Sequence, residues 1–504
     1  MPRLANRARP TGVMLGLGFD SKPPSGPRRR DTTLRSVGPC GRGTGDTCIG
    51  CQMNIEQQSR LYRTTPPSVE PLHRLHSYCA RFPSEIAEAA IDQFTHPGES
   101  VCDHFCGSGT SLVAGLVRKR RVVGSDIDVL AGILSSVKCS PLPLERYTSW
   151  RGRFAARLKE LFEEINAEWL PELSPRPGDV LSIGSVRLEV PTFPQLNYWF
   201  PPQVIAFLSA IAHAANRCRD EHYEHAALVS LSAAIIAKWP NTLSYAMDVD
   251  HTRPHRRVQR FTRARVLKAY LRRLDRTIDC LGALHQAYRD AGVVAALPAA
   301  ARVVYPHDAR KPLPGLRAES QALVVTSPPY FNAVDYPRAH RLSVCWMNGH
   351  APAELASRRD YIGLRHLGDF KATEWLQERK DIQRLIPSGL RDTVHERRLA
   401  AFFSDMESVL EQTWRVLQPT GHALFVIADN SVDGHRIKAH RALVELAKSK
   451  GFAEILRKPR PIASLRRRFP VGTFGFDGPM THEHVVVLRK PKPQARTRKA
   501  SGSR

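Results

Sequence analysis

Long apolar runs are missing from this 504-residue chain, and no stretch approaches the roughly 18 residues of a membrane span. The arginine-rich N-terminus has no continuous hydrophobic segment of the kind a secretory signal needs. The sequence therefore predicts a cytoplasmic protein with no membrane association. Paired cysteines are scarce too: the ten cysteines form no disulfide-like framework, which suits a reducing compartment. Cys48 and Cys51 make a single CxxC with Cys40 upstream. A zinc site needs four ligands and no second close pair follows, so no metal is expected. Acidic residues are the remaining deficit, 48 Asp and Glu against 74 Lys and Arg, for a formal charge of +26. Residues 1–65 and 489–504 each carry +7, which leaves +12 between them, so the bias is not confined to the ends. Basic surface on this scale fits a polyanion, bound through phosphates and counterion release.

What the chain does contain is a β/α alternation broken by insertions. Residues 1–65 are rich in Arg, Pro, Gly, Ser and Thr without hydrophobic periodicity, and are expected to form a disordered basic segment. From 70 to 140 the texture is that of a folded domain. Ser84 is a candidate cap for a helix running through Ile91, and Pro97-Gly98 ends it. A short buried strand, Glu99 to Asp103, then delivers Asp103-His104-Phe105-Cys106-Gly107-Ser108-Gly109-Thr110 and an apolar helix. Strand, glycine-rich turn and helix in so few residues describe the first unit of a nucleotide-binding sheet, where glycine lets backbone approach a ligand. The next strand, Arg121 to Asp126, ends in an acid placed to bond ribose hydroxyls. Asp126 is the candidate and Asp128 its competitor; helix capping is the alternative role for either.

Residues 141–300 abandon the alternation for mostly helix, including Glu221 to Ala237 and a long basic amphipathic stretch from about Gln259 to Tyr288. Tyr198, Trp199 and Phe200 have the composition of core or interface anchors. Arg253, Arg256 and Arg257 belong to a cationic loop suited to phosphates, and Arg466, Arg467 and Arg468 form a second. The sheet returns over 301–490. A third strand, Ala301 to Tyr305, leads to Asp308, and a fourth, Ala322 to Val325, leads to Thr326-Ser327-Pro328-Pro329-Tyr330. Two prolines stiffen that turn and leave its carbonyls pointing outward. It offers a planar amine two acceptors, the Ser327 hydroxyl and the Pro328 carbonyl, with Tyr330 to stack on the attached ring. A polar, irregular insertion is expected at about 357–397. A helix from about Arg398 to Leu417, stopped by Pro419-Thr420-Gly421, precedes a strand from His422 to Ile427. Residues 491–504 form a disordered basic tail.

Asp103 to Thr110 resembles the DPFxGSGT cofactor motif, and Thr326 to Tyr330 the TSPPY catalytic motif, of amino-group DNA methyltransferases. Arg81-Phe82-Pro83 is similar to the segment that contributes to the family's methionine pocket. Three departures stand out. His104 replaces the usual proline. The large insertion precedes the third strand rather than the catalytic one. The SPPY form tilts the base choice toward cytosine N4 over adenine N6. The resemblance implies an α/β class I methyltransferase (Rossmann-like) fold, a seven-stranded sheet with a large, mostly helical insertion that is the candidate target-recognition region. It implies S-adenosyl-L-methionine as cofactor, held by Phe82, Asp103, Phe105, Gly107, Ser108, Gly109, Thr110 and Asp126, with Asp308 near its adenine. Ser327, Pro328, Pro329 and Tyr330 would then act on the exocyclic amine of a base flipped out of double-stranded DNA. The competing readings are an RNA amino-group methyltransferase and an inactive nucleic-acid-binding subunit. Carbon-5 methylation would need a Pro-Cys pair at a strand tip, and the chain has none there.

Overall fold

The computed structural model describes residues 75–78, 83–165, 174–238, 240–246, 254, 261–331, 334–347, 360–363, 367, 370–462 and 482–492. Outside them lie the segment 1–65 with Cys40, Cys48 and Cys51, Phe82, both arginine loops (Arg253, Arg256, Arg257 and Arg466, Arg467, Arg468) and all but the start of the basic tail.

The first helix, α1 (Ser84–Phe94), precedes strand β1 (Ser100–Asp103), and α2 (Thr110–Val117) precedes β2 (Arg121–Ser125). Helices α3 (Val129–Cys139), α4 (Leu144–Glu164), α5 (Pro202–Asn216), α6 (Glu221–Ile235) and α7 (Arg263–Asp290) lead to β3 (Ala301–Val304) and β4 (Gln321–Thr326). After α8 (Tyr336–Val344) and α9 (Val394–Val416) come β5 (Leu417–Ala428), α10 (Ala439–Ser449), β6 (Ala453–Pro461) and β7 (His482–Arg489). These seven strands form one sheet in the order β6-β7-β5-β4-β1-β2-β3, and only the β7 pairings, with β5 and β6, are antiparallel. This is the class I methyltransferase fold anticipated from the two motifs.

Alternation along the central strands decides how the sheet is covered. Leu323, Val325, Leu424, Val426, Val485 and Val487 point into one cluster with Ile86 and Ile91 of α1. Val324, Phe425, Ile427, Val486 and Leu488 point into another, with Phe402, Met406 and Val409 of α9 and Leu443 of α10. With both faces buried, β4 is apolar without interruption from Ala322 to Val325, as the sequence suggested.

Several elements differ from expectation. Ser84 does not cap α1: it is the first helical residue, follows Pro83, and its hydroxyl makes no capping bond. Helix α9 begins four residues earlier than its apolar pattern implied, because Thr393 accepts from the Glu396 N–H while the Glu396 carboxylate accepts from the Asp392 N–H at 2.7 Å. Pro419-Thr420-Gly421 is no helix stop. It lies in a bulge of β5, where the register with β4 jumps from the Gln321 and Leu417 pair to Leu323 and His422, and Thr420 takes φ +70° to accommodate it. The polar segment at 357–397 is folded where it is described: short helices Ala372–Glu378 and Lys380–Gln383 bury Leu376 and Ile382 against α9 and α10.

The insertion contains an unforeseen hairpin, Val180–Ile183 paired with Val186–Glu189. Its helices share one apolar cluster with Val129, Ile133 and Leu134 of α3 and Leu342 of α8. Trp199 and Phe200 are anchors in that cluster, but Tyr198 is 53% exposed and is not.

Candidate active site

The tips of β1 and β4 meet at one carboxylate. Asp103 is buried and accepts from the Phe105 N–H at 3.0 Å, the Thr326 hydroxyl at 2.5 Å and the Ser111 hydroxyl. Thr326 immediately precedes Ser327, so this clamp sets the glycine turn and the proline turn side by side across 223 residues of chain. Burial raises the Asp103 carboxyl to about 6, against the three donors that favour its ionised form.

Gly107 and Gly109 have φ of +48° and +77°. A Cβ at Gly109 would meet the Ser135 backbone at 3.2 Å, so this turn needs glycine for both torsion and space. The Gly107 N–H donates to Asp126 at 2.9 Å, and the other Asp126 oxygen accepts from the Asp128 N–H at 3.0 Å. Burial, then the neighbouring Asp128, pushes Asp126 up to about 7. Asp128 takes the alternative role weighed for it: it caps α3 through the Ala131 N–H and holds His340 Nδ1 at 2.6 Å.

These residues line an open cavity of about 780 Å³. From the candidate set it brings together Asp103, Phe105, Gly107, Ser108, Thr110, Asp126, Asp308, Ser327 and Pro329. Gly109, Pro328 and Tyr330 stand beside it without lining it. Asp308 reaches the cavity, but both its oxygens accept from the Arg310 guanidinium at 2.8 to 3.1 Å. Burial alone would raise its pKa; those bonds hold it below the usual carboxylate value. Residues not foreseen at this site are Tyr78, His307, Tyr336 and Tyr361, which also line the cavity. Ser108 Oγ, Thr110 Oγ1 and His307 Nε2 are buried polar atoms without a hydrogen-bond partner among the described residues. Such atoms suit a ligand that brings its own donors and acceptors.

Ser327 is half-buried and donates its hydroxyl proton to the Val426 carbonyl at 3.1 Å. Its oxygen lone pairs are left to accept from a bound donor. Tyr330 does not present its ring to the cavity. Its hydroxyl lies 3.5 Å from Ser327 Oγ and 3.4 Å from Glu483, which accepts from Arg460 at 2.6 Å. Arg460 also bonds Glu85 of α1. Nothing in the local sequence marked Glu483, Arg460 or Glu85, since their relation exists only in the assembled sheet.

Beyond β5, Asp429, His440 and His484 come within ligand distance of one another, a cluster the sequence did not reveal. The two imidazoles stack with centroids 3.6 Å apart and planes 12° from parallel. Their in-plane lone pairs therefore do not converge on a common point, and the Arg436 guanidinium already lies 3.2 Å from Asp429. Asp429, at the end of β5, bonds His440 Nδ1 of α10 at 2.6 Å and is ion-paired with Arg436, so the cluster is a brace rather than a metal centre.

Residues 48–130 match the family model for DNA methylase. The type II methyltransferase M.MvaI of Kocuria varians is 24% identical over 441 residues, covering 83% of this chain and 91% of that protein. Among solved structures, a candidate DNA modification methylase of Thermus thermophilus, complexed with S-adenosyl-L-methionine, aligns at 17% identity and TM-score 0.21. That alignment covers 38% of this chain and 56% of that one. The rRNA methyltransferase aviRa of Streptomyces viridochromogenes aligns at 12% identity and TM-score 0.23, over 84% of this chain and 94% of that one.

Proposed function

We propose that the chain is an amino-group DNA methyltransferase, as its match to the DNA methylase family model over residues 48–130 and its likeness to a type II methyltransferase suggest, and that it methylates the exocyclic amine of a flipped base in double-stranded DNA, cytosine N4 in preference to adenine N6. One observation carries the reading: Ser327 opens onto the same cavity as the Gly107 turn and Asp126. Acceptor and cofactor cradle therefore adjoin, as direct group transfer requires.

The cavity suits S-adenosyl-L-methionine, which when bound supplies an electrophilic methyl group on a sulfonium. The unpartnered Ser108 and Thr110 hydroxyls fit its carboxylate end, and Asp126 keeps acceptor capacity for ribose hydroxyls beyond its two backbone bonds. Asp308, held by Arg310, stands at the adenine end.

An exocyclic amine is a weak nucleophile because its lone pair is delocalised into the ring. With its own proton committed to Val426, Ser327 accepts one amine N–H, and the Pro328 carbonyl accepts the other. That pair of bonds favours a pyramidal nitrogen whose lone pair is free to attack. Orientation and fixed dipoles would supply the rate; as the N–C bond forms, the sulfonium S–C bond would break with its electron pair kept by sulfur, and the excess amine proton would pass to water. Tyr330, the proposed stacking residue, has its hydroxyl toward Glu483 at 3.4 Å and does not line the cavity in this structure.

The test is transfer of labelled methyl from S-adenosyl-L-methionine to DNA from a methylation-free host, followed by nucleoside analysis. N4-methylcytosine is the expected product. N6-methyladenine would reverse the base preference while keeping the reaction, and label confined to RNA would defeat the DNA reading.

A further inference from the structure

The chemistry proposed above makes no use of α7, although that helix lies within a strongly basic stretch of the chain. Residues 253–276 hold ten Lys and Arg and a single acid, Asp275. That acid is already paired with Arg151 of α4 at 2.8 Å. The helix buries Val266, Tyr270, Leu274 and Ile278 on one side. On another side Lys268, Arg272 and Arg276 recur every four residues, with Arg273 beside them. Like charges at that spacing repel along a helix, a cost that is offset when an anion sits between them.

A shallow recess of about 350 Å³ lies there, lined by Asn241, Ala269, Arg272, Arg273 and Arg276. None of the three guanidinium groups has an acidic partner among the described residues. Burial, then Arg276 and Arg272, lower the Arg273 pKa, which fits a crowd of cations around one point. Burial, then His340, Lys138 and Arg273, lower the pKa of His76, two residues before the cavity-lining Tyr78.

We propose that Arg272, Arg273 and Arg276 form a phosphate-backbone site that holds the DNA duplex flanking the target base; this rests on the DNA reading above. Guanidinium forks match phosphate oxygens in pairs, and arginine sheds its hydration more readily than lysine. Lys268 to Arg276 extends over about 12 Å of helix axis. That is comparable with three or four steps of one strand at about 3.4 Å each. The contacts reach phosphates only, so they orient the duplex and carry no sequence information.

The experiment measures binding of the full chain to a blunt 30-base-pair duplex by fluorescence anisotropy across a salt series. The variant is the triple Arg272→Gln, Arg273→Gln, Arg276→Gln, with the triple Arg→Lys chain as the charge-preserving control. The slope of log affinity against log salt should fall by about 2 to 3, close to 0.9 for each phosphate no longer neutralised. Affinity near 0.1 M salt should fall on the order of 100-fold on any duplex sequence. The Arg→Lys chain should keep most of the slope. Arg272→Gln alone, at an exposed position, should remove about 0.9, a readout independent of any folding defect in the triple variant. A glutamine variant with the wild-type slope would overturn the site and leave the DNA reading standing. Wild-type protein with no salt-dependent duplex binding would overturn both. An arginine-dependent slope seen with duplex RNA and absent with DNA would assign the recess to the other polymer.

Discussion

Ser327 and Asp126, proposed for acceptor and cofactor binding respectively, have surroundings that differ. The Ser327 proton is occupied by Val426, so its oxygen is an acceptor before any substrate arrives. Ser327→Ala should slow methyl transfer by roughly 10²-fold, as loss of one preorganised site hydrogen bond does. Cofactor affinity should stay within about twofold by calorimetry, and an equal collapse of cofactor binding would contradict the division of roles. Asp126 differs in its ionisation. Its folded pKa of about 7 lies above the ordinary carboxylate value, so the folded chain retains a proton that the unfolded chain releases near pH 4. This contribution to stability is full below about pH 4 and is lost as pH rises through about 7. Urea midpoints between pH 5 and 8 should therefore fall less steeply for Asp126→Asn than for wild type. Parallel curves would show that the carboxyl ionises normally.

Two connections between elements hold the catalytic edge together. Arg460 of β6 joins Glu483 of β7 and Glu85 of α1, with all three side chains at most 10% exposed. Arg460→Met would remove the cation shared by two buried carboxylates and should cost about 3–5 kcal/mol. Denaturant unfolding measures it, and a cost under 1 kcal/mol would mean that solvent reaches the pair. The glycine turn between β1 and α2 depends on backbone torsion instead. Gly109→Ala forces a side chain into φ +77° and against Ser135, which should cost about 1–3 kcal/mol and displace the turn. A cofactor affinity unchanged in that variant would argue against the turn as cradle. These elements were legible in advance to different degrees. Strands β1, β2 and β4 were visible because each is a short apolar run ending in a polar turn. The β5 bulge was not, because proline and glycine after a helix resemble a stop until the neighbouring strand's register is known.

For the molecule as a whole, the insertion shares one buried cluster with helices α3 and α8 that flank the sheet, among the described residues. Phe207 of α5 and Ile133 of α3 belong to the same buried cluster, so the helices of 141–300 cannot lose their packing without exposing the apolar face of α3. Phe207→Ala should cost about 3–5 kcal/mol. It should lower a single transition reported alike by tryptophan fluorescence and far-ultraviolet dichroism. Two separated transitions would instead define an independent insertion domain. No described helix is long and apolar enough to cross a membrane. The charge of +26 is carried partly on α7 rather than wholly at the ends, which gives a polyanion a folded surface to meet.

The chain's local chemistry already specified the glycine turn, the proline turn, the acid after β2 and the order in which they occur, because torsional freedom, stiffness and apolar runs are properties of consecutive residues. Which acid braces which element was decided by assembly: Asp126 accepts from the Gly107 turn, Asp128 lines the same cavity but caps α3 and holds His340, and Asp103 clamps Thr326. The partners of a charged group lie wherever folding brings them, 223 residues away for Asp103 and 375 for Arg460. A buried charge takes its properties from those partners and from the water it has lost, and neither is written in the residues beside it.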